Sequence, residues 1–85
     1  MYREFDYNKE MFTKEYRFWD NLWTKLIIES NFGRRDLSDE YIYSKYEIIF
    51  TSFVSPPGGG LVKLRSVECP DKIETFFKLK YKEFL

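Results

Sequence analysis

Apolar residues recur with a helical period through the first third of the chain. Phe12, Tyr16, Trp19, Trp23, Leu26 and Ile27 fall within one stripe of ~100°, flanked by Met11 and Leu22. Glu10, Lys14, Arg17, Asn21 and Lys25 take the opposite side, with Glu10 one turn ahead of Lys14 in the favourable order for an ion pair. The pattern predicts a helix from about Asn8 to Asn31, capped by Asp6 or Asn8. Gly33 is a natural stop, and Arg34 and Arg35 would face the negative end of the helix dipole. Phe18 and Ile28 fall outside the stripe, so this helix carries more apolar surface than one sheet covers.

The pattern then changes. Asp36 to Glu40 reads as a turn or a short capped segment. Tyr41 to Val54 is rich in β-branched and aromatic residues and predicts a strand, strongest from Tyr46. Ser55-Pro56-Pro57-Gly58-Gly59-Gly60 breaks regular structure and reads as a hairpin tip, without the spacing of a phosphate-binding loop. A second strand is expected from Leu61 to Cys69, followed by a tight turn at Pro70-Asp71.

The last segment fits two templates. As a helix it aligns Ile73, Phe76, Phe77, Tyr81 and Phe84; as a strand it sets Ile73, Thr75, Phe77, Leu79 and Tyr81 against Lys72, Glu74, Lys78, Lys80 and Lys82. The strand template makes only Phe76 an exception and is preferred. The expected fold is therefore α+β: one domain over residues 1–85, with one long N-terminal helix packed on a three-stranded antiparallel β-meander.

Side-chain parity in such a sheet sends Ile48, Phe50, Val54, Val62, Leu64, Ile73, Phe77 and Leu79 toward the helix. The outer face then receives Ile49, Thr51, Phe53, Lys63, Arg65, Phe76, Lys78, Lys80 and Lys82. Counting Lys72 as well, six cations stand there against Glu47 and Glu74, an excess of four in a chain whose 14 basic and 14 acidic residues cancel. Exposed rings among cations suit single-stranded nucleic acid, RNA above all, because rings stack on bases while cations meet phosphates. Lys63, Arg65, Lys78, Lys80, Lys82, Phe53 and Phe76, with Arg34 and Arg35, are the candidate binding residues. Lysines on a strand also serve simply to keep sheet edges apart.

Composition removes much else. Without histidine and with Cys69 as its one cysteine, the 85-residue chain has no His-based triad, Cys/His zinc site or disulfide of its own. Asp36, Asp39 and Glu40 match no calcium-loop spacing and read as solvated charge. No catalytic residue, metal site or cofactor is expected, and Cys69 reads as strand-end packing.

Aromatic residues make up 21% of the chain, many for so small an interior, so some should lie in contact surfaces. No apolar run reaches the ~20 residues of a membrane span, and Met1 to Asp6 lacks a secretory apolar stretch, so a cytoplasmic protein is expected. The abundance of Lys, Phe, Tyr and Ile resembles small bacteriophage proteins in composition alone. The expected role is that of a non-enzymatic binding module for RNA, a host protein, or both, including inhibition of a host enzyme. A protein-only interaction or self-assembly as a homodimer is the alternative.

Overall fold

The computed structural model describes residues 1–30, 35–55 and 61–85. The fold is α+β, with a long helix and a three-stranded antiparallel sheet. Its elements are β1 (Tyr2–Glu4), α1 (Tyr7–Glu10), α2 (Lys14–Ser30), α3 (Arg35–Tyr46), β2 (Ile49–Ser55), β3 (Leu61–Glu68) and α4 (Asp71–Lys80). A 3-10 turn, Lys82–Phe84, follows.

The predicted N-terminal helix is interrupted. Thr13 accepts a hydrogen bond from the Tyr16 N–H (3.2 Å) and donates to the Glu10 carbonyl (2.7 Å), so it ends one helical turn and caps the next. This restart turns Phe12 out of the stripe, and its ring is 81% exposed. Behind the cap, α2 buries Tyr16, Phe18, Trp19, Leu22, Trp23, Leu26 and Ser30.

The strand expected from Tyr41 begins later. Residues Arg35–Tyr46 are helical because Ser38, Ile42 and Tyr46, one turn apart, all face inward. The Ser30 and Ser38 hydroxyls lie 2.8 Å apart, and these small residues let α3 approach α2 closely. Glu47, at φ 60°, adopts the left-handed conformation that ends the helix, its N–H bonded to the Tyr43 carbonyl (2.8 Å). Asp36 and Asp39–Glu40 thus lie on a helix and not in a turn.

The sheet has order β1-β3-β2, both pairings antiparallel. Its third strand comes from the N-terminus, where Met1 and Cys69 exchange backbone bonds that extend the β1–β3 ladder. Thr51 pairs with Ser66 but Ser52 pairs with Leu64, which leaves Arg65 as an extra residue in β3. The bulge shifts parity, so Leu64 and Val67 both face the core beside Ile48, Phe50 and Cys69. Val54 and Val62 share the inward parity yet remain exposed at the far end of the hairpin.

The C-terminal segment, expected as a strand, is the helix α4. Pro70 precedes it and its carbonyl accepts from Ile73 and Glu74. Asp71 and Glu74 occupy the first turn, Lys78 and Lys80 the last, which matches the helix dipole at both ends. Tertiary demand agrees: Phe77 is fully buried, 5.0 Å from the Tyr46 ring and 5.9 Å from Tyr81. Of the helical set, Ile73, Phe77, Tyr81 and Phe84 turn inward and Phe76 outward.

Replacing Phe77 with alanine is expected to cost about 3–5 kcal/mol in urea unfolding, the range for an aromatic ring lost from a core. Phe12→Ala, by contrast, should stay within about 0.5 kcal/mol.

Candidate interaction surfaces

The predicted basic and aromatic residues separate into two groups. Phe53 and Lys63 face one another across β2 and β3 on the outer side of the sheet, with Arg65 beside them at the bulge. The Arg65 guanidinium lies 5.4 Å from the Phe53 ring centre, Phe53 lies 6.1 Å from Tyr7, and Tyr7 lies 4.9 Å from the Lys63 ammonium. Cations and rings thus form a short ladder, Lys63–Tyr7–Phe53–Arg65. Tyr7, which α1 brings over the sheet, was not among the residues singled out from sequence.

Carboxylates surround this ladder. The concavity beside it, about 780 Å³, is lined by Glu4, Asp6 and Glu10 together with Arg65, Tyr7 and Phe53. Asp20 adjoins Lys63: burial pushes its carboxyl up, and the ammonium partly offsets this. Burial, helped by the Asp20 charge, also raises the nearby Tyr16 phenol to about 12. The expected excess of four positive charges on the outer face does not exist.

Lys78, Lys80, Lys82 and Phe76 ride on α4 and the turn after it, away from β2 and β3. Lys78 is a structural tie: its ammonium bonds to Glu15 (3.3 Å) and Glu74 (3.1 Å) and lies 5.8 Å from the Phe18 ring. Burial alone would lower its pKa, but Glu74 and Glu15 outweigh burial and raise it. Glu15 also accepts from the Trp19 indole (2.9 Å), which binds α4 to the centre of α2. Lys80 lies 5.6 Å from the half-exposed Phe76 ring and 5.3 Å from Tyr81. Arg34 and the hairpin tip, Pro56 to Gly60, lie outside the described residues, as does the side chain of Arg35.

A second surface was not visible in the sequence. β2 is an edge strand, and among the described residues its backbone pairs with β3 alone. A groove of about 550 Å³ runs between β2 and α3, lined by Ile48, Ile49 and Phe50 on one side and Asp39, Glu40, Tyr43 and Ser44 on the other. Across Ile49, a smaller concavity is lined by Tyr43, Glu47, Glu68 and the Met1–Cys69 end of the sheet. The two share Tyr43 and Ile49, and among the described residues neither is lined by lysine or arginine. The nearest lysine on α3, Lys45, is turned to the other side, where its ammonium meets Glu29 (2.6 Å), Tyr41 and Tyr46. That hydrogen bond from Lys45 is the main reason the Glu29 carboxyl sits below its ordinary pKa.

Comparison with protein-family models, with characterised proteins and with solved structures finds no match. Among the described residues, no helix is long and apolar enough to cross a membrane.

Cys69 closes the core at the end of β3. Burial first, and then the Glu74 carboxylate, push its thiol up to about 11. Native protein at pH 8 should therefore resist iodoacetamide, with labelling complete only after unfolding, as mass spectrometry will read. Rapid labelling of the folded chain would mean a thiol open to solvent.

Proposed function

We propose that the protein is a binding module without catalytic chemistry of its own, and that it takes a protein partner on the open β2 side of its sheet. The observation that carries this reading is the composition of β2. Ile49–Ser55 reads IFTSFVS, an edge strand with neither a charge nor a proline. Edge strands are normally blunted by lysine, proline, a bulge of their own or a covering loop, because their unpaired N–H and C=O groups template another strand. Here the bulge lies on β3. Ile49 and Val54 stand 46% and 55% exposed at the two ends of β2.

The ladder of Lys63, Tyr7, Phe53 and Arg65 supports a second reading, single-stranded nucleic acid, since two rings and two cations share one surface. Its acidic rim argues against a long phosphate track. The cations on α4 stand apart from it, and Lys78 is already held by two carboxylates. The protein-partner reading therefore takes precedence, and an accessory inhibitor that docks on a host enzyme is one form of it.

Affinity capture from cells that express the protein, with and without nuclease treatment, separates the two. One dominant protein should remain bound after nuclease and be lost from Val54→Lys, a change at an exposed edge position whose folding circular dichroism will confirm. Partners that vanish with nuclease, or that stay on Val54→Lys, would overturn the assignment to this edge.

A further inference from the structure

Three features converge at the first half of β2. Among the described residues the strand offers an open backbone edge, the α3–β2 groove beside it is lined by Ile48, Ile49 and Phe50, and the charged side chains lining the concavities on both sides of Ile49 are carboxylates, the one ammonium there, at Met1, being held by Asp71 (3.2 Å). The exposed ones are Glu40 from α3, Glu47 at the helix end and Glu68 from β3. Tyr43, 54% exposed, lies between the two sets and presents a ring to a cation. Among the described residues no group of three acids converges closely enough to hold a metal ion, so the charge is spread along a groove and not focused on a point.

Resting on the reading above, we infer that the groove between α3 and β2 receives an extended segment of the partner, which adds as a further strand on β2 and directs a lysine or arginine toward Tyr43 and the surrounding carboxylates. Strand addition supplies main-chain hydrogen bonds that any sequence can make, and pockets that accept alternate side chains supply selectivity. An apolar side chain of the added strand meets Ile49 and Phe50; the basic one meets the acidic rim. A second copy of this chain fits the groove less well. It would bring its own uncharged β2 and acidic rim, with no lysine or arginine on that strand to answer Glu40 and Glu47.

The probe is a capped nonapeptide of alternating valine and threonine with lysine at its centre, compared with the same peptide carrying glutamate there. Titrated into isotope-labelled protein, the lysine peptide should shift the backbone amides of residues 49–54 and of Tyr43. It should bind about tenfold or more tightly than the glutamate peptide, and Glu40→Lys and Tyr43→Ala should each weaken it, in the direction expected for charge and ring recognition. Both variants change exposed side chains, and an unchanged amide spectrum away from the groove will establish that they fold. Equal binding of the two peptides, shifts confined to other elements, or a dimer in which β2 amides are already engaged would overturn the inference. If Val54→Lys still abolishes protein capture while the lysine peptide fails to bind, the peptide chemistry is wrong and the binding edge stands. If capture survives Val54→Lys, the edge itself is wrong.

Discussion

Phe18 and Trp23 stand roughly 140° apart around α2, point in different directions, and are both buried. A helix with apolar side chains in both directions cannot be satisfied by one layer, and the remainder of the molecule follows from that requirement. Toward the sheet, Trp23 stacks on Phe50 at 5.8 Å and the inward face of β3 supplies Leu64 and Val67. Away from it, α3 approaches through Ser30 and Ser38, and Lys78 of α4 reaches Phe18 while it binds Glu15. Each buried ring is worth on the order of 3–5 kcal/mol against alanine, a large share of the stability of so small a domain.

Cladding α2 with helices also decides which surfaces remain for binding. With α3 and α4 recruited to the core, just one face of the sheet is left outward, and the chain spends its cations unevenly upon it. Lys63 and Arg65 are held by rings and neighbouring acids, whereas among the described residues the charged side chains lining the β2 end are carboxylates. The charge neutrality of the whole chain conceals this division. An uncharged edge strand beside an acidic groove is a liability in a protein with no partner for it, and a recognition element in one that has a partner.

Much of this was legible in the chain, and the failures have physical causes. The long helix, the β2–β3 hairpin and the α+β class follow from periodicity and from the Pro-Gly break. The surplus apolar surface at Phe18 already signalled a second covering layer, but the alternation of Lys72 to Lys82 outweighed it. Capping and dipole signals at Pro70, Asp71, Glu74 and Lys78 point to the helix and compete with the period-2 pattern. Thr13 was equally readable as a cap, yet the unbroken stripe from Phe12 hid it. Aromatic and β-branched content drew Tyr41 to Tyr46 into a strand, although Ser38, Ile42 and Tyr46 carry helical spacing. For that reason the α3–β2 groove, built from Asp39, Glu40 and Tyr43, went unseen. The bulge at Arg65 has no sequence signal and appears through pairing alone.

The central claim is that β2 is an open edge in the free protein. Backbone amide exchange along residues 49–54, followed by NMR at two protein concentrations, tests it most directly. Alternate amides facing β3 should be protected, while those facing away exchange at rates near those of an unstructured chain, with no dependence on concentration. Uniform protection along the strand, or protection that grows with concentration, would contradict the account, because the edge would then already be occupied.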